Sequence, residues 1–247
     1  MKAKGKLFVV GIGPGDIDHM TGRSRFLLEI SDVVAGYRNY IDLVKPVIGN
    51  KEIITTGMTK EVERVERAID AAAKGKTVSL VCSGDAGIYG MAGLVYERME
   101  GTGADIEVEV SPGVTASIAA GSILGAPLTN DFITISLSDL LTPTEIVKKR
   151  ITIAAQSDMV TAVYNPVSKK RKELIGFLST EFIKCRDKST PVGIVTHALR
   201  EGQNKEIRTL ETFLDAEMDM NSILIVGNSD TRIINGKMVT RRGYERK

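Results

Sequence analysis

Ser83-Gly84-Asp85-Ala86-Gly87-Ile88-Tyr89-Gly90 is a glycine-rich segment carrying a single acid, and it directly follows the apolar run Val78 to Cys82. Glycine allows backbone to approach a ligand closely, and a lone carboxylate at the carboxyl end of a strand marks a ligand position. The acid decides the sign of the ligand. A loop that holds phosphate offers amides and usually a lysine, whereas Asp85 has no basic residue beside it and suits a cationic or ribose-bearing ligand.

Two further loops have the same character. Gly11-Ile12-Gly13-Pro14-Gly15-Asp16 follows the apolar run that starts at Leu7, and Ser111-Pro112-Gly113-Val114-Thr115-Ala116-Ser117 follows Ile106 to Val110 and opens a helix. The first loop invites a dinucleotide-binding reading, but Asp16 stands where the fingerprint has its third glycine and Pro14 removes an amide. The ribose-binding acid is also missing, because Asp32 precedes the second strand instead of ending it. Taken alone, that segment is equally compatible with a tight turn lining a cleft and with a turn that binds nothing. Jointly the three loops say more: after strands one, four and five of a parallel sheet they emerge at one edge and form one pocket.

The elements that position these loops alternate along the chain. Leu7 to Ile12, Val33 to Ala35, Ile53-Ile54, Val78 to Cys82 and Ile106 to Val110 read as strands. From Thr59 to Lys74, Val62, Val65, Ile69 and Ala72 recur at helical spacing, with Thr59 as the expected cap and Gly75 as the stop. This implies a parallel sheet with helices on its faces. Beyond about residue 130 the strands are Phe132 to Leu137, Val160 to Tyr164, Val192 to Thr196, Ile207 to Thr209 and Ile223 to Val226. Ile233 to Val239 then reads as a hairpin turning at Asn235-Gly236, so this second sheet is mixed. The expected architecture is two α/β domains, with the boundary between Pro112 and Asn130 and drawn at 115/116: an N-terminal domain over 1–115 with a mostly parallel sheet, and a C-terminal domain over 116–247 with the mixed sheet and terminal hairpin.

Composition narrows the function classes. In 247 residues, 33 basic against 31 acidic side chains give no electrostatic case for nucleic acid or a membrane surface. No stretch approaches the ~20 apolar residues that span a bilayer. The two cysteines form no disulfide framework and fit a reducing cytoplasm. His19 and His197 have no ligand spacing, so no protein-bound metal is expected.

Gly11 to Asp16 with Thr21, Ser83-Gly84-Asp85 with Ile88-Tyr89-Gly90, Pro112 to Ala116, and Ile223 to Val226 followed by Gly227-Asn228-Ser229 together resemble the tetrapyrrole (corrin/porphyrin) methylases. The likeness runs from Leu7 to about Ser229. Gly36-Tyr37-Arg38-Asn39-Tyr40, Ile135 to Pro143, Val163-Tyr164-Asn165-Pro166, and Gly193-Ile194-Val195 with Arg200 to Gln203 resemble its ring-contracting branch, the precorrin-3B or cobalt-factor III carbon-17 methyltransferases. The resemblance implies two α/β domains with S-adenosylmethionine bound in a cleft between them, S-adenosylhomocysteine as product, a precorrin substrate, and a homodimer. It further implies that the Gly-Pro-Gly loop faces the tetrapyrrole and that Pro14, Ser83, Gly84, Asp85, Ile88, Thr115, Ala116, Asn165 and Ala198 hold the methyl donor. Ser83 and Ala86 depart from the glycine and proline common among relatives, so the loop is shaped differently here.

Methyl transfer from a sulfonium to an electron-rich carbon removes charge at the reacting centre, so it needs in-line positioning and a dry site more than a metal. A tetrapyrrole bearing acetate and propionate arms is polyanionic; Arg38, Lys169, Lys170, Arg171 and Arg200 are the candidates to seat it. Ring contraction also calls for a positioned acid or base. Tyr37, Asp16, Ser136 and Asp139 are polar residues on suitable loops, each equally able to serve as a turn or capping group. Tyr37 and Met58 replace an acid and a lysine of the sirohaem-type relatives, so those catalytic roles do not carry over. The readings kept beside this one are a methylase acting on another precorrin carbon, a nicotinamide-dependent oxidoreductase, and a nucleotide-binding module.

Overall fold

The computed structural model describes residues 5–167 and 173–244. The chain divides into two compact units, Met1–Thr115 and Ala116–Lys247. In the first, strands and helices alternate: β1 (Gly5–Gly11), α1 (Gly22–Ile30), β2 (Val33–Tyr37), α2 (Arg38–Ile48), β3 (Glu52–Thr56), α3 (Glu61–Ala73), β4 (Thr77–Cys82), α4 (Ala92–Met99) and β5 (Ile106–Ser111). The strands form one sheet in the order β3-β2-β4-β1-β5, with every pairing parallel.

The side-chain period of two explains why β1 reads as an unbroken apolar run. Leu7 and Val9 point into a cluster with Val65, Ala68 and Val95 from α3 and α4, while Phe8 and Val10 point the other way into Leu27, Leu28, Ile41 and Val44 from α1 and α2. Both faces are covered, so neither can be polar. Cys82, at the end of β4, is buried, and burial pushes its thiol up to about 11.

The second unit contains α5 (Ala116–Leu124), β6 (Gly125–Ala126), β7 (Phe132–Ser136), α6 (Thr144–Gln156), β8 (Val160–Tyr164), α7 (Glu173–Cys185), β9 (Pro191–Thr196), β10 (Asn204–Thr209), β11 (Ser222–Val226), β12 (Thr231–Ile234) and β13 (Lys237–Thr240). Its main sheet runs β10-β9-β11-β8-β7, parallel only between β7 and β8. One face buries Val163, Ile194 and Leu224 against Ile151, Leu178 and Phe182 of α6 and α7. On the other face α5 packs so closely that a Cβ on Gly193 would lie 2.4 Å from Leu124 Cδ1. The β12–β13 hairpin turns at Asn235 and Gly236, both at positive φ (49° and 71°), as an Asn-Gly turn of the primed type requires. β13 also pairs with the two-residue β6, completing a small third sheet.

One local expectation fails. Thr59 does not cap α3; the cap position is Lys60, which makes no side-chain bond to the helix, and Thr59 sits at φ 62° with its hydroxyl donating to the Met58 carbonyl 2.6 Å away. Gly75 does end that helix, its amide donating to Ala72 O at 2.8 Å with φ 91°.

Two outcomes follow. A methyl group on Gly113 would lie 2.2 Å from Gly84 O and 2.7 Å from Gly11 O, whereas one on Gly93 meets nothing within 4 Å. Thermal unfolding should therefore show Gly113→Ala destabilised by about 1–3 kcal/mol and Gly93→Ala neutral or stabilised. In native protein, 5,5′-dithiobis(2-nitrobenzoate) should label the exposed Cys185 promptly and Cys82 only after unfolding.

Candidate functional site

Within the first unit, β4, β1 and β5 are parallel neighbours, so the loops after them leave the sheet side by side. Gly13 and Gly84 exchange backbone hydrogen bonds, N to O at 3.1 Å and 2.7 Å, as an isolated antiparallel bridge between the first two loops. Asp85 joins the third loop. One carboxylate oxygen accepts from the amides of Gly87 (2.7 Å) and Ile88 (3.1 Å), and the other accepts from the amide of Gly113 (2.9 Å). The acid that sets the sign of the site is thus also the staple that fixes its shape.

Behind the loops lies a residue that no sequence pattern singled out. Ser24 is fully buried; its hydroxyl contacts Gly11 O at 2.8 Å, Ser111 Oγ at 3.0 Å and Pro112 O at 3.3 Å. It is placed there by Thr21, which caps α1 by accepting from the Ser24 amide at 3.1 Å. The only hint in sequence is the Thr21-x-x-Ser24 spacing of a helix start.

The sequence-derived residues of this unit fall on the same edge. Pro14 and Gly84 are buried, Ser83 and Asp85 half-buried, Ile88 exposed, and Thr115 buried at the end of the third loop. Tyr37 ends β2 and Arg38 opens α2, and the Tyr37 ring meets Tyr40 edge-on at 5.3 Å. Asp16 caps the short 3-10 turn Ile17–His19, accepting from the Asp18 amide at 3.0 Å.

In the second unit β7 is parallel to β8, and β8 and β9 both run antiparallel to β11, so the carboxyl ends of β7, β8 and β9 share an edge. Ser136 ends β7 and accepts from Asn165 Nδ2 (2.9 Å) and from the Ser138 amide (3.2 Å). Tyr164 ends β8; its hydroxyl accepts from the Ser117 amide (3.1 Å) and donates to Ser117 Oγ (3.0 Å), tying the start of α5 and Ala116 to this edge. After β9, His197 Nε2 lies 3.1 Å from Asp219 Oδ2. Burial pushes the Asp219 carboxyl up, but the Asn221 amide, His197 and the Ser222 hydroxyl outweigh it and hold it below the usual carboxylate range.

Three non-glycine residues at this edge adopt left-handed backbone: Asn165 (φ 52°), His197 (φ 53°) and Leu199 (φ 55°). Such conformations cost energy and concentrate at functional sites. Ala198, buried, lies between two of them, and Arg200 and Asp139 are half-buried nearby in sequence. Lys169, Lys170 and Arg171 lie outside the described residues.

Gly227-Asn228-Ser229 lies elsewhere. Because β11 runs opposite to β8 and β9, this segment leaves from the other edge of the sheet, where it lines a groove with Asp158, Arg186 and Arg232. There Asp158 accepts from the Ser229 amide (3.0 Å) and hydroxyl (2.6 Å). The buried Arg186 donates to the carbonyls of Gly227, Ala154 (2.9 Å) and Met159 (2.9 Å), and burial pulls its guanidinium down to about 10.

A family profile for Tetrapyrrole (Corrin/Porphyrin) Methylases matches residues 6–214. The chain is 45% identical to a cobalt-factor III methyltransferase of Priestia megaterium over 99% of its own length, but spans only 46% of that relative. It is 46% identical to a probable cobalt-factor III C(17)-methyltransferase of Salmonella typhimurium, over 96% of this chain and 99% of the relative. Among solved structures, the methyltransferase CobJ superposes with a TM-score of 0.89 at 31% identity, covering 96% of this chain and all of that one. A uroporphyrin-III C-methyl transferase from Thermus thermophilus complexed with S-adenyl homocysteine superposes with a TM-score of 0.67 at 25% identity, covering 90% and 92% of the two chains. The three stapled glycine loops and the matching of nearly the whole chain agree: the chain belongs to the tetrapyrrole (corrin/porphyrin) methylases.

Proposed function

We propose that this protein is an S-adenosylmethionine-dependent C-methyltransferase of corrin biosynthesis, acting at carbon 17 of cobalt-factor III or precorrin-3B with contraction of the ring. The observation that carries this reading is the near full-length identity to the Salmonella relative. Cytoplasmic location and a homodimeric state belong to the same reading.

The chemistry of the loop edge fits the donor. Gly87 leaves backbone open to a ligand, a Cβ there meeting only Asp85 Oδ1 at 3.3 Å, and Asp85 supplies negative charge without a lysine or arginine beside it in sequence. S-adenosylmethionine, when bound, supplies an electrophilic methyl group on a cationic sulfur. Pro14, Ser83, Gly84, Asp85, Ile88, Thr115, Ala116, Asn165 and Ala198 form the donor-binding set in this proposal. The attacking carbon contributes the electron pair of the new bond, and sulfur keeps the pair of the broken one, so the residues need only align and desolvate the two. Arg38 and Arg200 are the described candidates for the anionic arms of the acceptor, alongside Lys169, Lys170 and Arg171. For the acid–base step of contraction the candidates are Tyr37, Ser136 and Asp139. Asp16 is the weaker one, since its carboxylate already caps a turn.

Calorimetry should detect binding of S-adenosylhomocysteine and none of a nicotinamide dinucleotide; the reverse would overturn the reading. Anaerobic incubation with cobalt-factor III and S-adenosylmethionine should yield a methylated, contracted product, whereas methylation at another carbon would reassign the acceptor position. Asp85→Asn keeps an oxygen for the Gly87 and Ile88 amides but loses the bond to Gly113, so S-adenosylhomocysteine should bind roughly 10- to 100-fold more weakly. Sedimentation should return twice the mass of one chain.

A further inference from the structure

Two arginines are buried among the described residues, and they differ in how many good acceptors they meet. Arg186 spends its guanidinium on three carbonyls and stacks 4.5 Å over Phe182, as a structural arginine should. Arg64 does not. It is 3% exposed, on the first turns of α3, and its Nη2 donates to the Gly57 carbonyl at 3.0 Å. Its Nη1 has only the Met91 thioether at 3.6 Å, a weak acceptor, and its Nε, like that of Arg186, has no partner, so one carbonyl serves Arg64 where three serve Arg186. No carboxylate among the described residues pairs with it.

A buried guanidinium without a carboxylate carries a desolvation cost that one carbonyl and one thioether return only in part. The groups around it identify what is missing. Gly57 belongs to the loop after β3 and Met91 ends the loop after β4, so both belong to segments that leave the carboxyl edge of the first sheet. Both segments are strained. Thr59, a β-branched residue, is held at φ 62°, and Tyr89 at φ 54°. The side chains over this region, Met58 and Tyr89, are more than half exposed, and Met91 is unbranched and easily re-packed.

We propose that Arg64 is the receptor of a ligand carboxylate, which takes the place now filled by the Met91 sulfur and pairs with Nη1. The source of the carboxylate rests on the methylase reading: it is the methionine end of the donor, or an acetate or propionate arm of the acceptor. Arg64 is then retained for binding, at the expense of stability.

The test compares wild type, Arg64→Met and Arg64→Lys by thermal unfolding and by calorimetry with three probes: S-adenosylhomocysteine, 5′-methylthioadenosine, which lacks the carboxylate, and the polycarboxylated uroporphyrin III. Arg64→Met should unfold at the same temperature as wild type or higher, yet bind a carboxylate-bearing probe at least about tenfold more weakly, with partial recovery in Arg64→Lys. Weakened S-adenosylhomocysteine with unchanged 5′-methylthioadenosine assigns the donor carboxylate; weakened uroporphyrin III assigns the acceptor arm. Unchanged affinity for both carboxylate probes, or a lower unfolding temperature with unchanged affinity, overturns the proposal. A wild-type chain that binds none of the probes is a different failure, that of the methylase reading itself.

Discussion

The first unit depends on how three irregular loops are held at the open edge of a parallel sheet. Loops at such an edge have no ladder to continue, and their amides need partners wherever water is excluded. Here the loops satisfy one another: Gly13 and Gly84 trade amides and carbonyls, Asp85 reaches from the second loop to the amide of Gly113 in the third, and Ser24 binds the first and third from behind. The closeness this requires leaves no room for a Cβ at Gly11 or Gly113. The loop edge is therefore preorganised by its own backbone, and the Asp85 carboxylate is already fixed before any ligand arrives.

The second unit reaches a comparable end by other means. Its sheet is mixed, and its candidate edge is built from side-chain bonds, Tyr164 to Ser117, Asn165 to Ser136 and His197 to Asp219, with left-handed residues where the chain leaves β8 and β9. Glycine would meet those φ values without strain, yet Asn165, His197 and Leu199 stand there. At two of these turns the side chain makes a bond that glycine could not, Asn165 to Ser136 and His197 to Asp219.

Much of this was legible in the sequence, for physical reasons. Strands buried on both faces must be apolar throughout, so β1, β2, β4 and β11 announce themselves, and Asn235-Gly236 encodes its own turn. β10 was only half legible: Asn204-Lys205-Glu206 belongs to an edge strand whose polar residues are tolerated because one side is open. β6 has two residues and exists only through its pairing with β13. Thr59 misled because a threonine before a helical pattern reads as a cap, while here the loop forces it into the left-handed region. Ser24 and Arg64 were invisible because their meaning lies in partners distant in sequence or, for Arg64, in a partner it lacks.

The pairing of β6 with β13 has a consequence for how the chain is made. Every strand of the first sheet is complete once residue 111 has been synthesised, with β4 inserted between β2 and β1 and β5 added last beside β1. The second unit cannot close in the same way, because β6, directly after α5, waits for a hairpin near residue 240. On a ribosome the first unit can therefore finish while the second is still an open sheet with an unpaired segment at Gly125–Ala126. The order of synthesis thus gives the two units unequal exposure to misfolding, and the burden falls on the one completed later.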